Sequence, residues 1–116
     1  MPKQKLNPLP SAAFQILVAL AGEDLHGYGI MRQVAGQTGG RMRLGPGTLY
    51  SSIHSLLEEK LIEEVGQRKD AKLGDERRRY YRLTSAGRKL ATSEAERLAG
   101  FLRAARAKRI LRGDYV

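Results

Sequence analysis

Two neighbouring segments in the second half of the chain carry side chains suited to binding a polyanion. From Gly66 to Arg82, seven residues are basic and three are acidic, a net charge of +4 over 17 residues. Besides Arg82, the basic residues are Arg68, Lys69, Lys72, Arg77, Arg78 and Arg79. Guanidinium and ammonium groups bind phosphate oxygens. Basic residues also protect exposed sheet edges from aggregation, but that role explains one or two charges and not seven.

The segment just before this basic stretch reads GPGTLYSSIHSLLEEK and predicts an amphipathic helix over 46–60, because proline is favoured in the first turn of a helix. At about 100° per residue, one face is apolar and the opposite face carries small polar residues. The polar face consists of Gly47, Thr48, Ser51, His54, Ser55 and Glu58. Short hydroxyl groups form hydrogen bonds with base edges in a DNA major groove, and a helix N-terminus attracts phosphate. An ordinary solvated helix face has a similar composition, so the neighbouring basic stretch is what favours DNA binding.

Two larger side chains of this helix leave alternatives open. Tyr50 falls at the border of the apolar face, so its ring either belongs to the core or packs at the surface with its hydroxyl directed at a phosphate. We include Tyr50 in the predicted DNA-binding set. His54 is expected to be an exposed polar residue and not a metal ligand.

The remaining patterns predict helices over 12–21, 27–37 and 84–112 and strands over 61–68 and 78–83, with Ser11 and Thr84 as N-caps. Four residues form the apolar side of the second helix, and three glycines in it allow close packing on the first: Tyr28, Ile30, Met31, Val34, Gly27, Gly29 and Gly36. The fold class is therefore mainly α with a small antiparallel β-hairpin, as a winged helix-turn-helix plus a C-terminal dimerisation helix. We divide the chain into a flexible basic arm (1–10), the DNA-binding domain (11–83) and the dimerisation helix (84–112).

The last predicted helix is too long for a winged helix to bury, at about 40 Å for a rise of 1.5 Å per residue. It nevertheless carries an apolar stripe, which Glu94 interrupts. The stripe predicts pairing with the same helix of a second subunit across a two-fold axis, although folding back onto its own domain is the alternative. The predicted dimerisation residues are Phe14, Leu17, Leu90, Leu98, Phe101, Leu102 and Ala105. The basic end of this helix is interpreted first as a solvated terminus and only second as a further DNA contact.

The amino-acid composition of the chain excludes several classes of protein function. The 116 residues carry a net charge of +9 and a pI near 10.3, which favours polyanions, with nucleic acid first and anionic membrane second. The absence of cysteine excludes disulfides, thiolate metal sites and cysteine nucleophiles. No apolar run approaches the roughly 20 residues of a membrane span. No catalytic constellation is recognisable, and Pro46 and Gly47 stand where a phosphate-binding loop would need its Lys and Ser/Thr, so we expect no enzyme activity, cofactor or metal.

One N-terminal pattern resembles a secretion signal. Two lysines precede the apolar run of 12–21, whose last three residues are Ala-Leu-Ala. Pro8 and Pro10 interrupt the approach to this run, and Gln15 breaks it. The apolar run is better interpreted as a buried first helix of the domain, and we therefore predict a cytoplasmic protein.

Three blocks resemble the PadR-type transcriptional regulators. HGYGI at 26–30 resembles the family's HGYxI, and GTLY at 47–50 with LLEEKLI at 56–62 resembles GTLYxxLxxLEExGLI. RRYYRLTSAG at 78–87 resembles RKYYxLTxxG. Because the blocks occur in this order over most of 11–110, together they are far more specific than any one alone. Two departures are Lys60, where the family often has glycine, and Gly29, where it usually has a larger residue.

The resemblance implies homodimeric winged-helix repressors that bind inverted repeats near promoters, and many of them release DNA when a small aromatic or drug-like compound binds. The single short C-terminal helix resembles the smaller subgroup. The chain has no Trp and only two Phe, so few aromatic side chains are available to line an effector pocket. The predicted partners are therefore double-stranded DNA, a second copy of the chain and such an effector, with no membrane. The alternative function is a winged-helix module that binds RNA or a protein partner without effector control.

Overall fold

The structure is a computed structural model that describes residues 9–69 and 77–112, without the side chains at 68, 69 and 77. In chain order the elements are α1 (Ser11–Gly22), β1 (Leu25–His26), α2 (Gly27–Gln37), α3 (Pro46–Glu58), β2 (Ile62–Lys69), β3 (Arg77–Leu83) and α4 (Ser85–Ala107). Within these described ranges, four helices and a three-stranded antiparallel sheet of order β1-β3-β2 confirm the predicted winged-helix class. The predicted basic arm at 1–10 lies mostly outside the described residues.

The sequence predicted most helix ends to within two residues. α2 has the predicted bounds, and Thr84 caps α4, because its Oγ1 accepts a hydrogen bond from the Gly87 N–H at 3.1 Å. The N-cap prediction for Ser11 is wrong: Pro10 occupies that position and Ser11 is the first helical residue. α3 ends two residues early and α4 ends at Ala107 instead of 112.

The sheet contains a strand that the sequence did not predict. β1 has only two residues, Leu25 and His26, which pair with Tyr81 and Tyr80 of β3. On the other side of β3, the register of β2 shifts between Glu64 and Gln67. The residues between them include Gly66, whose φ of +106° favours glycine. This bulge separates the part of the hairpin that packs on the core from the part that carries most of the basic residues.

The core lies between α1, α2, α3 and the near end of the hairpin. Its fully buried side chains are Ile16, Leu17, Ile30, Val34, Leu49, Leu56 and Ile62. Leu17 has no exposed surface, so its predicted place in a dimer interface is wrong. Tyr28 is 50% exposed and does not belong to the apolar side of α2. Within the residues described, no helix is long and apolar enough to span a membrane, and no cluster of potential metal ligands occurs.

The glycines of α2 do not serve the predicted packing on α1. A Cβ at Gly27 would lie 2.6 Å from the Tyr50 hydroxyl, so this glycine makes room for a side chain of α3. A Cβ at Gly36 would have no atom within 4 Å. Gly36 therefore only weakens the helix, by about 1 kcal/mol relative to alanine.

Candidate nucleic-acid interface

The polar face of α3 lies on the outside of the molecule. Gly47, Thr48, Tyr50, Ser51 and His54 are exposed and Ser55 is partly exposed. Gly45 caps the helix without a side-chain hydrogen bond, which leaves the N-terminal amides accessible to an anion. Toward the C-terminal end, the His54 Nε2 lies 3.4 Å from the Glu58 Oε1. The hydroxyl-bearing residues Thr48, Ser51 and Ser55 therefore occupy the first three turns of the helix.

Tyr50 is not a core residue. It is 54% exposed, and its hydroxyl lies against Gly27 at the start of α2. The ring thus crosses from α3 to the N-terminus of α2, with the phenol at the surface. This placement favours the second alternative, in which the hydroxyl is available to a phosphate.

The charged half of the hairpin brings like charges together. Across the strands Arg68 is paired with Arg78 and Lys69 with Arg77, while Arg79 is opposite Gln67 and exposed. Like charges at directly opposite positions of a sheet are unfavourable for its stability. Lys72 lies outside the described residues.

A cluster at the N-terminus of α2 joins that hairpin to the helices. The Tyr28 ring has the Arg32 Cζ at 5.8 Å and the Arg78 Cζ at 5.9 Å from its centroid. His26 stacks on Tyr28 at 6.4 Å and meets the Tyr80 ring edge-on at 5.2 Å. Its Nδ1 accepts the Gly29 N–H at 2.9 Å and so caps α2. Sequence reasoning missed Tyr28 and Arg32 as surface residues, although their i, i+4 spacing places both on one side of a helix.

Comparison with known proteins decides the family. The family described as "Transcriptional regulator PadR-like family" matches residues 16–93, well over half of the chain. The chain belongs to the PadR-like family of transcriptional regulators. Because the members of this family are transcriptional regulators and not enzymes, the prediction of no enzyme activity is confirmed.

Individual proteins are similar to this chain in sequence or in fold. An uncharacterized 37.1 kDa protein in a transposon of Streptomyces fradiae is 36% identical over 91 residues, which are 76% of this chain and 23% of that protein. This chain thus spans about a quarter of the length of that curated relative. A PadR family transcription regulator from Clostridium difficile superposes with a TM-score of 0.70 at 21% identity, over 84% of this chain and 97% of that one. Bacillus subtilis PadR in complex with operator DNA gives 0.62 at 19% identity, over 72% and 47%.

One basic residue of this PadR-like chain has an internal role. Arg82 donates from Nε to the Asp24 Oδ1 at 3.2 Å and from its terminal nitrogen to Oδ2 at 2.9 Å. The hydrogen bonds that it donates to Asp24 raise the pKa of the Arg82 guanidinium further above its ordinary range. Arg82 therefore fastens β3 to the loop after α1, and it is not part of the charge that the hairpin offers to a ligand.

The predicted dimerisation residues of the PadR-like chain fall into two groups. Leu17 is buried in the chain's own core, and Phe14 and Leu90 are partly buried against it. Farther along α4, Leu98 and Ala105 are partly exposed, Phe101 is 59% exposed and Leu102 is 39% exposed. Only the second group forms an apolar surface that the subunit leaves uncovered.

Glu94, which interrupts that stripe, forms an ion pair with Arg97 of the same helix. Glu94 accepts two hydrogen bonds from Arg97, at 2.8 and 2.5 Å. The hydrogen bond from Arg97 lowers the pKa of the Glu94 carboxyl. The same guanidinium lies 5.1 Å from the Phe101 ring centroid. The charges of Glu94 and Arg97 are therefore paired within the helix.

An open groove of about 670 Å³ runs along the first half of α4. It is lined by Leu83, Thr84, Ser85, Arg88, Lys89, Thr92, Ser93 and Glu96. Hydroxyl and charged groups predominate and no aromatic residue contributes. The groove does not have the lining expected of a pocket for an aromatic compound.

Proposed function

We propose that this PadR-like chain is a sequence-specific DNA-binding transcriptional regulator that acts in the cytoplasm as a homodimeric repressor on a palindromic operator. One observation carries the proposal: the hydroxyl face of α3 is exposed on the same domain as a hairpin whose basic residues oppose each other. A helix of this kind reads base edges, whereas basic side chains bind the backbone without regard to sequence. The Bacillus subtilis neighbour, described in complex with operator DNA, supports the same partner here.

In this proposal each part of the interface has its own role. Thr48, Ser51 and Ser55 read bases, and Gly47 lets the backbone approach them closely. Tyr50 and His54 border this surface. The wing residues Arg68, Lys69, Lys72, Arg77, Arg78 and Arg79 bind phosphate, and five or six such contacts correspond to a log–log salt slope of about −5 per subunit.

The homodimer in the proposal follows from the uncovered end of α4. Phe101 and Leu102 expose large apolar side chains that would be covered by the same helix of a second subunit. Two-fold symmetry would then place two copies of α3 about one helical turn, roughly 34 Å, apart on DNA.

The most detailed part of the proposal is that a small aromatic or drug-like effector releases the protein from DNA. Such a compound needs apolar surface, and this chain offers it on the α4 stripe more than in the polar groove. An effector site would therefore lie between two subunits. The test is calorimetric titration of the dimer with planar aromatic compounds, followed by titration of the complex with DNA. Binding that leaves the affinity for DNA unchanged would contradict effector release.

The proposed function is tested by selecting bound fragments from random duplex DNA. We expect an inverted repeat with half-sites one turn apart. Ser51→Ala with Ser55→Ala should then relax the sequence preference, while Arg77→Gln with Arg79→Gln should weaken binding to all duplexes alike. Indistinguishable behaviour of the two pairs would contradict the division of roles.

The selected duplex also distinguishes the proposed function from the alternative function. Competition between the selected duplex and RNA at fixed salt distinguishes a DNA regulator from an RNA-binding module. Preferential displacement by RNA, or enrichment of no DNA sequence at all, would favour the module that binds RNA or a protein partner.

A further inference from the structure

We propose that Tyr28, Arg32 and Arg78 form a separate binding site for a phosphate group of the DNA backbone. We call these three residues the α2 corner. The inference rests on the proposed function, and it adds two residues of α2 that belong neither to the hydroxyl face of α3 nor to the hairpin.

The charges of the α2 corner are not neutralised within the protein. No carboxylate among the described residues forms an ion pair with Arg32 or Arg78, whereas Arg82 is paired with Asp24 and Arg97 with Glu94. The Nε of Arg78 is buried and has no hydrogen-bond partner in the described part of the chain. A buried donor without an acceptor is costly. An anion that drew the Arg78 side chain outward would supply the missing acceptor.

The Tyr28 ring contacts both cations. Both guanidinium groups lie within cation–π distance of Tyr28, at 5.8 and 5.9 Å from its centroid. One comes from the next turn of α2 and the other from strand β3, so repulsion between them is opposed by contact with one ring. Each guanidinium group can donate hydrogen bonds to the oxygens of a phosphodiester. The exposed phenol of Tyr28 adds a hydroxyl that can donate to the same group.

The α2 corner lies between α3 and the hairpin, where a phosphate of the DNA backbone would pass. On one side, the Tyr50 hydroxyl of α3 lies against Gly27, the residue before Tyr28. On the other side, Arg78 belongs to the charged half of the hairpin. The α2 corner therefore connects the helix assigned to the major groove with the hairpin. A DNA strand contacted by both elements would pass over this seam.

The test uses the full chain, an operator duplex from the selection above and a random duplex, with anisotropy titrations over a range of salt concentrations. Arg32→Gln and Arg78→Gln should each weaken both duplexes by about tenfold and reduce the magnitude of the salt slope by about 1. Tyr28→Phe should weaken binding and leave the slope unchanged, because it removes only a hydroxyl. Lys108→Gln is the control: it removes one positive charge at the far end of α4, about 34 Å along that helix from its start.

The outcomes separate this inference from the proposed function. Arg32 is exposed, so its substitution does not threaten folding. If Arg78→Gln does not fold, Arg78→Lys should keep the slope and lose affinity, because it keeps the charge but not the planar fork. If Arg32→Gln matches Lys108→Gln while the serine variants still relax sequence preference, the α2 corner is not a phosphate site and the proposed function stands. If the unaltered protein binds no duplex in a salt-dependent manner, both fail.

Discussion

Gly87 lies so close to the carbonyl group of Leu61 that no side chain fits between them. A Cβ at position 87 would overlap the Leu61 oxygen and lie 2.8 Å from the Leu83 Cδ1. The same carbonyl accepts the Thr84 N–H at 3.1 Å. The first turn of α4 is therefore fastened to the start of β2, and glycine in the LTSAG sequence is required by that close approach.

Gly87→Ala is expected to destabilise the protein by about 3 kcal/mol, because the obstacle is backbone that cannot rotate away. Gly36→Ala is the matched control. It adds the same methyl group where no atom lies within 4 Å, and it should stabilise α2 by up to about 1 kcal/mol. Chemical denaturation of the two variants measures both effects. A Gly87→Ala protein as stable as Gly36→Ala would contradict the contact.

Lys60→Gly is expected to stabilise the protein by about 1 kcal/mol. Lys60 has φ +58° at the end of α3, a left-handed conformation that strains any residue with a Cβ. Around it the Leu61 N–H donates to the Leu56 carbonyl at 2.9 Å, and the Lys60 N–H donates to Leu57 at 3.0 Å. This is the Schellman arrangement, in which glycine is preferred.

The control for this prediction is Lys60→Ala, which removes the same charge and the same side chain but keeps the Cβ. It should give no gain in the free energy of unfolding. Equal stabilisation by both substitutions would mean that the lysine side chain, and not its backbone conformation, is unfavourable.

Lys60 also illustrates what sequence could and could not supply. The repeating apolar positions predicted α3, residues suited to strands predicted the hairpin, and the family resemblance identified Lys60 as a departure. The pattern could not say that Leu61 turns into the core at that point and forces a left-handed residue before it. Packing between elements determines where the chain must turn, and local periodicity carries no information about that packing.

The same limit explains the errors at α2. A helical wheel assigns Tyr28 to the apolar side because it weighs only residue type and spacing. In the folded protein, β1, which is too short to give an alternating pattern, brings β3 beside the N-terminus of α2, and Arg78 meets the outward-facing ring there. The α2 corner thus depends on strand pairing that no stretch of sequence predicts by itself, whereas the α3 face depends only on the helix that carries it.

Tyr81 should make the protein sensitive to alkaline pH. Burial raises the pKa of its phenol above the ordinary value of 10.0, and Glu64 and Tyr50 act in the same direction. The folded state therefore retains a proton that the unfolded chain loses. Below pH 10 the contribution to stability is complete, and above it the free energy of unfolding falls by up to about 1.4 kcal/mol per pH unit for this one proton.

Denaturation at several pH values above 9 checks this. Tyr81→Phe should show a shallower loss of stability with pH than the unaltered protein. Tyr80→Phe removes a phenol from the next position of the same strand, where the side chain is partly exposed, and the steeper loss should persist there. The same slope in all three proteins would rule out Tyr81 as its source.

Phe101→Glu and Leu102→Glu test the proposed dimer. Both side chains are exposed on α4, and a carboxylate in an apolar interface would be desolvated without a partner. Each substitution should raise the dimer dissociation constant by at least about 30-fold, or about 2 kcal/mol. Sedimentation equilibrium measures this directly. Loss of the dimer should also weaken binding to an inverted repeat while leaving binding to an isolated half-site unchanged.

Ile110→Glu is the control for these two variants. Ile110 is the most exposed of the large apolar residues described, at 81%, and it follows the end of α4 instead of lying on the stripe. It introduces the same charge at the same end of the chain. If hydrophobic exposure alone drove association, Ile110→Glu would dissociate the dimer as well as Phe101→Glu does. If the stripe is the interface, only the two residues on it should matter, because an apolar contact is lost only where the partner helix covers it.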